Sequence, residues 1–212
     1  MRYNRSMTKR SFLIGARLFF GLLALIAIGR QLAVHIHSGY RIVNFFSYFT
    51  NLSNIFAAAV LLLGAFSLIQ RRDPTVSDDI IRGSSIVCMA LVGIVFSVLL
   101  RDQDLGSLIP WVNIVLHYVM PVVVVLDWLY QPPKAKLALK QVAYWLLFPS
   151  LYVAYSIIRG AIVGWYAYPF FDPARSGGSG GVALYCIAIL ALFSFFCWLF
   201  MTLGNRFERH VS

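Results

Sequence analysis

Polar residues recur at helical spacing in the stretch NFFSYFTNLSN, residues 44–54, which opens a long apolar run. On an α-helix, four of them fall within a sector of about 100°; they are Ser47, Thr50, Asn51 and Asn54. Unpaired donors and acceptors are costly inside a bilayer, so this stripe must face other helices or a wet cavity. Hydroxyl and amide groups there can bind a polar group, and a hydroxyl becomes a nucleophile once a base takes its proton.

An ionisable residue, His117, lies in a second apolar run, within the segment WVNIVLHYVMP. An ionisable group inside a membrane span is a functional-site hypothesis by default, because imidazole can act as a base or a proton relay. Pro121 cannot donate a hydrogen bond to the His117 carbonyl, so we expect a kink there. The alternative is a structural histidine that pairs with Asn113 or Thr50 between helices.

The elements that must position these groups are membrane-spanning helices. The chain has 212 residues, of which 60% are hydrophobic and 12% charged, whereas soluble domains average about 25% charged residues. Apolar runs of the length that crosses a bilayer predict six spans, at about 12–34, 45–69, 81–100, 110–130, 141–163 and 182–203. We therefore predict an all-α integral membrane protein, with six transmembrane helices in one bundle and a single transmembrane domain over residues 1–212.

Basic residues are distributed unevenly among the segments that join these spans. They concentrate at both termini and in the loops after the second and fourth spans. The positive-inside rule then places both termini in the cytoplasm, which in a bacterium means the plasma (inner) membrane. This distribution accounts for the net charge of +10. We expect no nucleic-acid partner, because no basic face with interleaved aromatic residues is present.

With this orientation, polar residues from several spans share one level in the outer leaflet. Thr50 and His117 lie about 8–11 Å below the outer boundary, at 1.5 Å of rise per residue. The other members of this layer are Arg30, Asn51, Asn54 and Arg159. Asn113 lies one turn above His117 on the same helix face, and Tyr155 shares a face of the fifth span with Arg159. The two arginines could also be snorkelling anchors. Near the inner ends of their spans, we expect Arg17 to snorkel and Asp127 to lie at the interface.

Three segments resemble one known family when taken in order: YFTNLSN, WVNIVLHYVMP and YPFFDP at residues 168–173. They are similar to the androgen-induced-gene family of six-span membrane hydrolases, which includes the androgen-dependent TFPI-regulating protein and bacterial relatives. The resemblance covers roughly residues 41–173. It implies hydrolysis of fatty acid esters of hydroxy fatty acids by an intramembrane threonine and histidine, which match Thr50 and His117. Ser53 stands where the animal members carry an asparagine.

The chemistry that this resemblance implies is attack of the Thr50 hydroxyl on a lipid ester, with His117 as the base. The oxyanion needs hydrogen-bond donors, and the substrate needs binding groups. Candidates for these roles and for orienting the histidine are Asn51, Asn54, Arg159, Arg30, Asn113 and Tyr155. We expect no cofactor and no metal site, since His35 and His37 alone make an incomplete zinc site.

Two other functions fit the same polar layer. It could be the binding site of a small-molecule or proton-coupled transporter, with His117 relaying protons. It could also be interhelical packing in a non-catalytic lipid-binding membrane protein. In every case the expected partners are membrane lipids, together with a lipid ester substrate if the protein is an enzyme.

Overall fold

Helices dominate the described part of the chain, which in this computed structural model comprises residues 2–102, 109–134 and 136–208. No β-strand occurs among these residues. Six of their helices are long and apolar enough to cross a membrane: α1 (Arg2–His37), α2 (Phe49–Ile69), α3 (Val76–Leu100), α4 (Pro110–Tyr130), α5 (Leu139–Val163) and α6 (Gly178–Glu208). The predicted all-α membrane fold with six spanning helices is confirmed, whereas its orientation in the membrane stays a prediction.

Five of these helices begin at residues other than those the apolar runs predicted, and for α2 and α3 the cause is a local structural feature. α2 begins at Phe49 instead of near residue 45, because Ile42–Phe45 form a separate short helix and Tyr48 is extended. α3 begins at Val76 instead of near residue 81, because Thr75 and Asp78 form a capping box. A search for apolar runs misses both features, since turns and caps depend on polar groups.

The segment between α5 and α6 folds back onto the bundle. α5 ends where Gly164 adopts a left-handed conformation with φ of 68°, which glycine tolerates without strain. A short 3₁₀ turn, Pro169–Phe171, and a short helix, Pro173–Ser176, follow. The 3₁₀ turn contacts both α5 and α6, so residues of this segment become part of the buried core.

α3 is the central helix of the bundle. It contacts α2, α4, α5 and α6, and every residue from Arg82 to Val92 is buried. This buried run includes Arg82, Ser84 and Ser85, which need partners within the protein because lipid supplies none. α1 packs along α2 and also contacts α4.

Charged residues of three helices meet inside the bundle where α4 ends and α3 begins. Arg17 donates to both carboxylate oxygens of Asp127, over 2.6 and 3.0 Å. Arg82 donates to Asp127 Oδ2 over 3.1 Å and also pairs with Asp79. The expectation that Arg17 snorkels is therefore wrong, because its guanidinium is buried and paired within the bundle, whereas the level of Asp127 relative to the interface stays a prediction. An unpaired charge would need solvation by water, whereas opposite charges at the same level on neighbouring helices can neutralise each other inside the bundle.

Candidate active site

α3 and α4 each contain one π-helical turn, formed by Phe96–Leu100 and Val115–Val119. The turn in α4 contains His117 and precedes Pro121, which has no N–H group for the His117 carbonyl. The expected disturbance of α4 thus takes the form of a wider turn. Gly93 allows α3 to approach α4 closely at Pro121, because a Cβ atom at Gly93 would lie only 3.1 Å from Pro121 Cβ. π-turns inside helices occur frequently at functional sites.

His117 is buried, with 6% of its surface exposed. Its ring stacks on Phe96 with the centroids 3.7 Å apart, and its Nδ1 lies 3.1 Å from the main-chain oxygen of Asn113. A carbonyl oxygen only accepts hydrogen bonds, so Nδ1 carries the proton of the neutral ring and donates it. The lone pair then resides on Nε2, which is the nitrogen that can accept a proton. Asn113 orients His117 through its main chain and not through its side chain.

Thr50 lies in the first turn of α2 and is buried. Its main-chain N–H donates to the hydroxyl oxygen of Tyr168 over 3.2 Å, and its Oγ1 lies 3.4 Å from the same oxygen. The first N–H groups of a helix have no acceptor within the helix, so Tyr168 supplies one. A single phenol hydroxyl therefore contacts both the main chain and the side chain of the predicted nucleophile.

Tyr168 is the site residue that the sequence did not predict. It precedes the Pro169–Phe171 turn, is buried, and stacks on Phe170 with the ring centroids 5.0 Å apart. Burial raises the pKa of Tyr168 to about 12, so the hydroxyl keeps its proton at neutral pH. Tyrosine beyond a span is normally an interface residue. The position of Tyr168 in the YPFFDP motif was the available signal for a different role.

Thr50 opens onto a small apolar pocket of about 40 Å³. That volume admits about two or three water molecules or one small polar group. Six of its fourteen lining residues are aromatic, and they come from α2, α3, α5 and the segment before α6: Phe49, Phe96, Tyr152, Tyr168, Phe170 and Phe171. Since Phe96 also stacks on His117, one ring lines the Thr50 pocket and covers the imidazole.

The two asparagines predicted as oxyanion donors bind main-chain carbonyl groups instead. Asn54 Nδ2 donates to the carbonyl oxygens of Thr50 and Leu116, over 2.9 and 3.1 Å. Asn51 Nδ2 donates to the carbonyl oxygen of Phe45 over 2.8 Å. Both N–H bonds of the Asn54 amide are thus in use. Asn54 joins α2 to α4 beside the histidine, which makes it a positioning residue.

Two of the remaining predicted site residues, Arg159 and Tyr155, contact the segment that leads into α2. Arg159 Nη2 donates to Asn44 Oδ1 over 2.6 Å, and its guanidinium lies 5.0 Å from the Trp165 ring centroid. The Tyr155 hydroxyl lies 2.8 Å from Ser47 Oγ. These contacts bring α5 against the start of α2. Arg30 is exposed and makes no hydrogen bond within the described residues, so it does not join this group.

Thr50 and His117 are brought to neighbouring helices without direct contact. No hydrogen bond joins their side chains, both of which belong to the described residues, although Asn54 links the main chains at Thr50 and Leu116. The arrangement offers a hydroxyl in an apolar pocket, a protonated phenol beside it and a neutral imidazole behind one aromatic ring. These are the groups of a nucleophile, a hydrogen-bond donor and a base.

Metal-binding side chains do not cluster within the described part of the chain, where no group of three or more histidine, cysteine, aspartate or glutamate residues could hold an ion. Comparison with known proteins adds no family assignment, since no protein-family model, no curated protein and no solved structure matches this chain.

Proposed function

We propose that this protein is an intramembrane hydrolase of lipid esters, with Thr50 as the nucleophile and His117 as the base. The observation that carries the proposal is the position of Phe96, whose ring lines the Thr50 pocket and stacks on the neutral imidazole. The resemblance to the androgen-induced-gene family also supports it. That resemblance suggests fatty acid esters of hydroxy fatty acids as the substrate class.

The reaction uses two successive transfers of the acyl group. Thr50 Oγ1 attacks the ester carbonyl carbon while its proton passes to His117 Nε2. The bond between the carbonyl carbon and the alcohol oxygen then breaks, and the imidazolium returns the proton to the departing alcohol. His117 next takes a proton from water while the water oxygen attacks the carbonyl carbon of the acyl-threonine. The bond between that carbon and Thr50 Oγ1 then breaks, the imidazolium returns its proton to Oγ1, and the fatty acid leaves.

The oxyanion of each tetrahedral intermediate requires a donor that the two asparagines do not provide. Tyr168 is suited to this role, because its hydroxyl keeps its proton and already lies 3.4 Å from Thr50 Oγ1. A donor fixed in an apolar pocket needs little reorganisation when charge develops on the carbonyl oxygen. Tyr168 accordingly replaces Asn51 and Asn54 as the proposed oxyanion donor.

Proton transfer requires Nε2 within about 3 Å of Thr50 Oγ1, either directly or through one water molecule. Phe96 controls this approach, because its ring contacts both the pocket and the imidazole. Rotation of the Phe96 side chain when an acyl chain enters the aromatic pocket would open the path. Substrate entry would thus bring the His117 imidazole and the Thr50 hydroxyl together, as conformational steps do in many enzymes.

Turnover of a branched fatty ester by the purified protein in lipid nanodiscs tests the proposal. Thr50→Ala and His117→Ala should each reduce the turnover number by about 10³-fold or more, as loss of a nucleophile or base does. Thr50→Ser keeps a hydroxyl and should retain measurable activity. A fluorophosphonate probe should label Thr50 in the wild type, with the site identified by peptide mass spectrometry.

Two exposed positions provide matched controls for these variants. Thr202 in α6 and His37 at the end of α1 are exposed, so Thr202→Ala and His37→Ala should leave turnover unchanged. Size-exclusion chromatography and circular dichroism establish that each variant is folded. If folded Thr50→Ala or His117→Ala hydrolyses the ester at the wild-type rate, the assigned pair is wrong.

A further inference from the structure

A second and larger cavity lies between α1, α2 and α4, at the end of the bundle where α4 finishes. Its volume is about 500 Å³, which is within the range of small-molecule and lipid sites. The wall is almost entirely apolar and includes Leu13, Ala16, Phe20, Leu61, Val123 and Leu126. The Thr50 pocket is lined by none of these residues, so the two cavities are separate.

The polar part of this wall is the ion pair of Arg17 and Asp127. Arg17 is 4% exposed, and its Nε and Nη2 donate to Asp127 and Gln131. Its Nη1 has no acceptor among the described residues, and it lies 3.0 Å from the place a Cβ atom would take at Gly64. Asp127 already accepts from two arginines. Arg17, which lines the cavity, therefore has one donor nitrogen without an acceptor, while its charge is neutralised by Asp127.

The mouth of the cavity carries positive charge. Tyr130 lines the cavity, packs against Phe12, and lies under the ammonium group of Lys9, which is 4.9 Å from the ring centroid. Lys9 is exposed and precedes Arg17 by eight residues of one helix, which is about 12 Å along its axis. A cation at the mouth and a hydrogen-bond donor deeper in an apolar groove match an amphiphile with an anionic head and acyl chains.

We infer that this cavity is a binding site for an anionic phospholipid of the leaflet that surrounds the first turns of α1. One acyl chain fills the groove between α1 and α4, along Phe20 and Val123. The phosphate group lies near Lys9, where a basic residue adds about 1 kcal/mol to the attraction of an anionic lipid. An ester carbonyl oxygen of the lipid accepts from Arg17 Nη1. This inference does not depend on the proposed hydrolase activity.

Native mass spectrometry of the detergent-purified full chain tests the site. The probes are phosphatidylglycerol and phosphatidylcholine with identical acyl chains, titrated in parallel. The wild type should retain phosphatidylglycerol preferentially. Ala16→Phe, which fills the groove, should weaken its apparent affinity about tenfold or more, and Lys9→Gln should weaken it about fivefold while phosphatidylcholine binding is unchanged.

Matched substitutions elsewhere show whether these effects belong to the cavity. Ala59 faces outward on α2 and Lys140 is exposed at the start of α5, so Ala59→Phe and Lys140→Gln should bind lipid as the wild type does. Equal retention of both lipids by the wild type overturns the inference, as does equal retention of phosphatidylglycerol by Ala16→Phe and Ala59→Phe. Should Ala16→Phe not fold, Lys9→Gln decides, and affinity equal to that of Lys140→Gln overturns it.

Discussion

Several buried polar side chains in this bundle are held by groups on other segments, and residue type alone does not reveal those groups. The sequence correctly indicated that the polar stripe around Thr50 faces other parts of the protein, since Ser47, Thr50, Asn51 and Asn54 are all buried. It did not indicate that Asn54 donates to the carbonyl oxygens of Thr50 and Leu116, or that Tyr168 contacts Thr50. Such contacts depend on how each helix is rotated about its axis, which a polar stripe restricts only to a broad sector.

Tyr168→Phe should lower the turnover of a lipid ester by about 10²-fold, because it removes one oxyanion donor and keeps the ring. The ring contacts with Phe170 remain, so the variant should fold. Tyr185→Phe is the control, since Tyr185 also packs against Phe170 but is exposed. Equal turnover in wild type and Tyr168→Phe would exclude the donor role.

The pH profile provides a second measurement on the same residue. The pKa of Tyr168 is raised to about 12 by burial, and a phenol donates only below its pKa. Activity that depends on this donor should therefore persist through pH 10, where an ordinary tyrosine is about half ionised. A loss of activity centred near pH 10 in the wild type would contradict the assignment.

At the scale of elements, apolar runs predicted the six helices but not the features that interrupt or join them. Pro121 indicated a disturbance in α4, and the structure contains a π-turn at Val115–Val119. The second π-turn, Phe96–Leu100, could not be predicted in this way because α3 contains no proline. The sequence also did not predict which helices approach each other closely. A Cβ atom at Gly83 of α3 would clash with the Trp145 ring of α5, which is fully buried.

Gly83→Ala should destabilise the bundle by about 1–3 kcal/mol, because the added methyl group must displace the Trp145 ring or separate two helices. Thermal unfolding followed by circular dichroism should show a Tm lower by about 3–10 °C. Gly15→Ala is the matched control, since a Cβ atom at Gly15 meets nothing within 4 Å and alanine favours helix. An equal Tm for the two variants would show that α3 and α5 are not in close contact at Gly83.

At the scale of the whole molecule, the bundle carries a different polar layer at each end. Around Thr50 and His117 lie neutral groups and aromatic rings, with Arg159 bonded to the neutral Asn44 nearby, whereas the other end buries the ion pairs of Arg17, Arg82 and Asp127. The first layer was predicted from depth along the spans. The second was not, because Arg17 and Asp127 were each considered as single charges near an interface. Opposite charges on two spans at one level are the sequence pattern that would have indicated the pair.

The orientation of the whole molecule follows from loop charge and is open to a direct measurement. The loop between α4 and α5 contains Lys134 and Lys136, with Lys140 just beyond, while the glycine-rich segment around Ser179 has one basic residue near it, Arg175. The positive-inside rule places the lysine-rich loop in the cytoplasm and Ser179 on the opposite side. Ser179→Cys and Lys136→Cys distinguish the two sides, because both positions are exposed.

Each substitution is made in a chain whose native cysteines, Cys88, Cys186 and Cys197, are replaced by alanine. A membrane-impermeant maleimide applied to intact cells should label Ser179→Cys and spare Lys136→Cys until the membrane is permeabilised. The Thr50 pocket lies at the same end of the bundle as Ser179, so this result would also place the proposed site in the outer leaflet. The reverse labelling pattern would show the opposite orientation, in which the Thr50 pocket lies in the cytoplasmic leaflet. The side-chain contacts of the site would be the same in either orientation.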